Sequence, residues 1–333
     1  MLWWRATLRN GNPAALQRPI SQAFDWRPWP GLSWSRSDGN LRLMIFSARV
    51  RLLPGALCAL LALPASAGPA AETFAAYYRQ LEHTLVSQGA LRTDRGSPAS
   101  DAASLVRDFV DVALTSEYAG GSLTAGAGQR EAKPLLRWED TVRMQVLFGV
   151  SVPPARREAD RRAIRAYADK LARVTGHRIT PAGRDANFHV LVVSEAERRS
   201  LSSQLPKLIP GISPWMVRTI SRMGRNHICM VVAEPHADRR RGYARAVAIV
   251  RAESSGRLRQ SCIEEELAQG MGLPNDCPMA VPSIFNDDQQ YALLTRRDEL
   301  LLSMLYDASL ASGMTRAEAM PRITRLARRL ATR

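Results

Sequence analysis

The feature that most constrains this fold is a helical pattern over residues 155–174, set between two apolar, strand-like runs. Ile164, Tyr167, Ala168, Leu171 and Val174 recur at helical spacing and form one apolar stripe. Pro153 and Pro154 precede the pattern, and Gly176 follows as a C-terminal stop. Before it, residues 135–150 alternate, with Trp138, Val142, Met144, Val146 and Phe148 on one side, as a strand does. After it, 188–193 reads as a buried strand, and Ser194 with Glu197 forms a capping box for a short helix. Two further strands are expected over 228–233 and 244–250, then a helix over the stretch that follows Cys262. The order is strand, long helix, strand, helix, strand, strand, central helix, loop, helix, which defines an α+β chain with a mixed sheet and long helices.

The flanks are helical. Phe74, Tyr77, Tyr78, Leu81 and Leu85 share a face over 74–86. Leu105, Phe109, Val112 and Ala113 do so over 102–114, and a Gly/Ala/Ser-rich linker follows at 120–128. Thr295 to Asp298 opens a late helix with Leu300, Leu301, Met304 and Leu305 inward, and Gly313 is expected to end it. Thr315 and Glu318 form a second capping box, for an Arg-rich last helix.

The first 67 residues differ from the rest. From Met44, Arg49 and Arg51 lead into a short apolar run over 52–63, and Ala65-Ser66-Ala67 is a small-residue cleavage site, the pattern of a secretory signal. The run is too short to span a bilayer. Residues 1–43 hold five of the seven Trp and no periodic pattern, so they read as a non-globular leader or a start misassigned upstream of Met44. The expected organisation is leader 1–43, signal 44–67, N-terminal helical cap and linker 68–130, and main domain 131–333. Residues 68–333 hold 38 basic and 29 acidic side chains, a net of +9. That charge suits a soluble basic protein or one attracted to anionic envelope polymers. An exported chain with no nucleic-acid motif is not expected to bind RNA or DNA, nor to be transmembrane once the signal is removed. An oxidising compartment allows a disulfide among Cys229, Cys262 and Cys277. Cys229 with Cys262 is the favoured pair, stapling the central helix to a strand; Cys262 with Cys277 is the alternative.

Residues 262–288, CIEEELAQGMGLPNDCPMAVPSIFNDD, carry the chemistry. They resemble a metalloprotease active-site helix without its metal ligands. A zincin places His-Glu-x-x-His on one helical face to grip zinc, with the Glu as general base. A metzincin adds x-x-Gly-x-x-His. With Met271-Gly272-Leu273 as anchor, the resemblance puts Glu265, Gln269 and Asn275 at the three ligand positions, and Glu266 at the catalytic Glu. Only that Glu and Gly272 remain. Ser283 and Phe285 fall at the Met-turn, and 294–307 resembles the closing helix of matrixin-like proteases. The same stretch, with Leu136-Arg137-Trp138, Asn187-Phe188-His189-Val190, Ser283-Ile284-Phe285-Asn286-Asp287-Asp288, Asp298 and Leu305-Tyr306-Asp307, is similar to secreted proteobacterial proteins of the domain of unknown function 2927 group. The resemblance implies a zincin-like fold and an exported protein, with no established activity.

No two of the five His are three or four residues apart, and none falls in the central helix. One anionic oxygen and two amides are a poor zinc set, so no cofactor is expected, with zinc or calcium the alternatives. His189 and His227 read as packed or edge residues of strands. Glu264 is expected to be solvated, with Glu265 and Gln269 hydrogen-bonding to the sheet edge and loop in place of a metal. Asn275, Asn286, Asp287 and Asp298 read as turn and helix caps. Ser283 has no His partner to activate it. The expected function is a pseudo-enzyme that binds a peptide or envelope component without catalysis. The alternatives are a hydrolase, metal-dependent or metal-free, with Glu266 as base, and a basic module for anionic polymer.

Overall fold

The strand β5, Phe188–Val193, is buried from end to end because it lies at the centre of a sheet covered on both faces. The computed structural model describes residues 69–96, 101–116, 131–224, 227–286 and 289–331, all within one unit, Leu63–Arg333. The expected leader, signal and 120–128 linker, and Asp287 with Asp288, lie outside the described residues. Among these, the sheet has five strands: β4 (Ile179–Pro181), β3 (Val142–Phe148), β5, β7 (Tyr243–Arg251) and β6 (Cys229–Pro235), in that spatial order. β4, β3, β5 and β7 run parallel; β6 pairs antiparallel with β7 and forms one edge. Parallel neighbours need a crossover, and α3 (Pro154–Thr175) is the helix between β3 and β4. Its end is set by Gly176, in the left-handed region at φ 67°.

Period-two alternation sends the strand side chains to two separate cores. Phe188, Val190 and Val192 of β5, with Ala246, Ala248 and Val250 of β7, face the larger one. It also holds side chains of α2 (Ala102–Ala113), α3, α7 (Gly256–Gln269), α8 (Arg296–Leu305) and α9 (Arg316–Ala331). Leu191, Val193, Val247 and Ile249 face the smaller one, closed by α5 (Leu201–Leu208) and α6 (Pro214–Ser221). A short helix α4 (Glu195–Arg199) follows β5 and opens with the expected capping box, Ser194 against Glu197. Of the two N-terminal helices, α1 (Pro69–Ser87) packs Tyr78 and Leu85 against Leu258 and Ala292 in a satellite cluster, whereas α2 is part of the main core. β1 (Thr115–Ser116) and β2 (Glu131–Ala132) form a separate small ladder. No described helix is long and apolar enough to cross a membrane.

Three local expectations change. The strand expected over 135–150 shrinks to Val142–Phe148. Pro134 lacks an N–H, and Leu135, Leu136 and Trp138 are buried as an irregular segment that forms only an isolated bridge, from Trp138 to Gly242, rather than a ladder. α8 stops at Leu305 rather than at Gly313, because Tyr306 turns inward; Gly313 sits instead in the turn before α9, at φ 87°. His227 precedes β6 and is exposed, while His189 lies buried in β5 on the face away from α7. Burial and the charge of Arg245 hold the His189 imidazole down at about 4, so it is neutral at pH 7.

Cys229 and Cys262 form a disulfide with Cα atoms 5.7 Å apart, joining β6 to α7; Cys277 is free and buried. With its ends 33 positions apart in sequence, the bridge restricts the unfolded chain and contributes about 4 kcal/mol. Denaturant unfolding of the oxidised protein and of a Cys229→Ala/Cys262→Ala variant should differ by that amount. Equal midpoints would show that the bridge adds nothing to the hold between α7 and the sheet edge.

Candidate functional site

Helix α7 is fixed at both ends and along its length. At its start, the Glu82 carboxylate of α1 accepts the Arg257 N–H (2.6 Å), capping an end that Ser255 leaves without a side-chain cap. Arg259 makes a buried two-point contact with Asp160 of α3 (Nε–Oδ1 2.8 Å). Beyond its C-terminus the chain turns sharply through Gly272, at φ 127°; a Cβ there would lie 2.6 Å from the Leu136 carbonyl. The buried carbonyls of that turn need donors. The Trp138 indole donates to Gly270 O (2.8 Å) and the Tyr306 hydroxyl to Met271 O (2.8 Å). Arg137 in turn donates to the carbonyls of Leu305 and Asp307. The distant motifs Leu136-Arg137-Trp138 and Leu305-Tyr306-Asp307 therefore meet at one turn.

The three Glu of α7 have different surroundings. Glu264 is not solvated as expected: it is half-buried and accepts the Leu294 N–H (2.8 Å), and burial raises its pKa. Glu265 is half-buried. Glu266 points inward and is only 5% exposed. One of its oxygens takes the backbone N–H of Val231, while Oε2 has no hydrogen-bond partner among the described residues. Burial, and then the nearby Asp276 charge, push its carboxyl well above the ordinary 4.5. Glu266 is thus a group of α7 that reaches the sheet edge. A backbone N–H has one direction, so the Val231 amide turns away from β7 toward the outer edge of β6.

Gln269 donates through Nε2 to Asp276 Oδ1 (2.9 Å), closing the loop that follows the helix. Asn275 faces elsewhere. Its side-chain amide donates to the carbonyls of Asp111 (3.1 Å), Val112 (3.3 Å) and Thr115 (2.5 Å) and so caps the C-terminal end of α2. The side-chain amide of Asn275 is thus engaged with α2, and that of Gln269 with Asp276. Among the described residues, no group of three or more His, Cys, Asp or Glu is arranged to hold a metal ion.

The segment at the Met-turn position is held by Asp298. Its carboxylate accepts the Ser283 hydroxyl, Ile284 N–H (2.9 Å), Thr295 N–H (2.8 Å) and Thr295 hydroxyl (2.7 Å). Asp298 therefore both caps α8 and ties the loop to it. Fully buried, it is pushed up to about 6 by desolvation, against the pull of those four bonds. Ser283 is fully engaged as donor to Asp298 and acceptor from Phe285 N–H. Phe285 is buried in the main core, and Asn286 donates to the Pro278 and Ala280 carbonyls. Cys277 is buried, and burial and the charge of Asp108 push its thiol up to about 11, away from the reactive thiolate. The buried Asp108–Arg297 pair, which links α2 to α8, was not foreseen, because its members lie in separate segments with no motif between them.

The family described as "Protein of unknown function (DUF2927)" matches residues 102–325, from the start of α2 into α9. No curated protein and no solved structure matches the chain.

Two outcomes follow for these carboxyls. Asp298→Ala strands four donors and should cost about 3 kcal/mol or more in denaturant unfolding, against about 1 kcal/mol for Thr295→Ala, which removes a cap hydroxyl. Equal losses would contradict the tether. For Glu266 the folded pKa is raised, so its contribution is complete below 4.5 and is lost as pH rises above that value. The melting temperature of Glu266→Gln, a neutral isostere, should gain on the parent protein as pH rises from 4.5. A difference that stays constant with pH would mean that Glu266 titrates normally.

Proposed function

The chain belongs to the DUF2927 family, and within that family we propose that it is an exported, non-catalytic protein on a zincin-like scaffold that takes an extended peptide along the outer edge of β6. The observation that carries this reading is the edge itself. β6 is seven residues long, antiparallel to its one strand neighbour, and lies against α7. Alternate residues of such a strand present N–H and C=O to the same side, so Cys229, Val231 and Ala233 share the outer edge. Strand addition uses such backbone groups and requires no metal. Glu266 holds the central amide, so an incoming peptide has to replace that carboxyl. Met279 and Val281, 81% and 52% exposed on the loop after α7, offer apolar contacts.

Support for the scaffold comes from the order of elements and from the turn at Gly272, where the resemblance places the metzincin glycine. Export is supported by the pattern over 44–67 and by the Cys229–Cys262 bridge, which suits an oxidising compartment.

A second reading, a metal-free hydrolase with Glu266 as general base, draws on that residue's raised pKa. A base has to reach the water it activates, and Glu266 is buried and already holds a proton well above 4.5. The non-catalytic reading is therefore the better supported.

Amide hydrogen exchange in the presence of a peptide pool from digested envelope proteins tests the proposal. New protection confined to 229–235 is expected, with no cleavage of the pool. Unchanged exchange in β6 would refute edge binding. Peptide cleavage that disappears in Glu266→Gln would establish the hydrolase instead.

A further inference from the structure

A second feature involves neither β6 nor Glu266. Between α3, α8 and the segment at Arg95 lies a concavity of about 350 Å³ lined by Arg95, Lys170, Arg173, Val174, Arg296 and Glu299. Four of these are cations. Three of them converge on the one carboxylate: Glu299 Oε1 lies 3.6 Å from Arg95 and 3.3 Å from Lys170, and Oε2 lies 2.9 Å from Arg296. Arg173 has no ion-pair partner among the described residues. The lining is thus +3, and it remains +2 when Glu264, close enough to feel the charges of Lys170 and Arg95, is included.

The burial is uneven in a way that suits a ligand. Glu299 and Lys170 form a floor, at 8% and 16% side-chain exposure, while Arg95 and Arg296 form walls at 59%. The floor pair is neutral, so the excess positive charge lies on the arginines at the rim, where an incoming anion meets it first. Exposed guanidinium forks above the Lys170–Glu299 pair present paired N–H donors, the arrangement that matches the oxygens of a phosphate or carboxylate.

We propose that this cavity is a binding site for a polyvalent oxyanion, with phosphate as the preferred group, whether free or carried on an anionic lipid headgroup. Arg173 and Arg296 grip the anion from the rim, and Lys170 neutralises it from below while Glu299 holds Lys170 in place. The site goes beyond peptide binding at β6 and does not depend on it.

The test uses the full chain with inorganic pyrophosphate, and separately with phosphatidylglycerol vesicles against phosphatidylcholine vesicles, at low salt. The site variant is Arg173→Ala/Arg296→Ala. The control, Arg218→Ala/Arg325→Ala, removes equal charge from exposed positions on α6 and α9. Arg173→Ala alone removes no ion pair and guards against a folding defect. Saturable pyrophosphate binding that raises the melting temperature, and weakens about tenfold or more in the site variant alone, is expected for a free anion. Binding of anionic vesicles only, lost in the site variant alone, assigns the headgroup source. Equal weakening in site and control variants, or no binding of either probe, overturns the proposal.

Discussion

The turn after α7 depends on hydrogen bonds that the helix cannot make for itself. A helix that ends inside a core leaves carbonyls with no intrahelical donor, and burying them unpaired is costly. Here the Trp138 indole and the Tyr306 hydroxyl supply those donors, and Gly272 supplies a backbone path that a side chain would block. Because Trp138 also stacks on Phe188 of the central strand, the turn is referenced to the sheet. Everything downstream inherits that position: Gln269 meets Asp276, Asn275 reaches α2, and Asp298 gathers the loop onto α8.

Much of this fold was legible in the sequence. The stripe from Ile164 to Leu171, the apolar run at 188–193 and the Ser194–Glu197, Thr295–Asp298 and Thr315–Glu318 boxes each carry a local signal that local physics obeys. The favoured disulfide, Cys229 with Cys262, also follows from a strand and a helix that pack together. Which Glu of α7 faces inward was harder to read. The helix buries Arg259, Glu266 and Gln269 as well as Leu258 and Leu267, so its polar residues do not mark the solvent side. The Val231 amide that meets Glu266 belongs to the backbone, and backbone groups leave no trace in residue type. The segment before β3 alternates like a strand, yet it is irregular because Trp138 is needed at the helix turn.

At the candidate site, positions that resemble a metal-binding outline carry ordinary polar contacts. Three of the positions that the metzincin resemblance assigns to a ligand or base have partners in their surroundings. Gln269 closes a loop, Asn275 caps a helix, and Glu266 meets a strand edge with its proton retained by burial. These contacts brace α7 against the loop, α2 and β6. Among the described residues, the edge of β6, once Glu266 is displaced, and the cationic cavity between α3 and α8 both offer chemistry to a partner.

On the proposed reading, hydrogen bonds within the protein stand where a zincin would hold its metal. Elemental analysis of the protein purified without chelator, with thermal melting before and after chelation, tests it most directly. The expected result is no stoichiometric metal and a melting temperature that chelator leaves unchanged. Stoichiometric zinc or calcium, with a lower melting temperature once it is removed, would contradict the claim and return Glu265, Gln269 and Asn275 to the role of ligands.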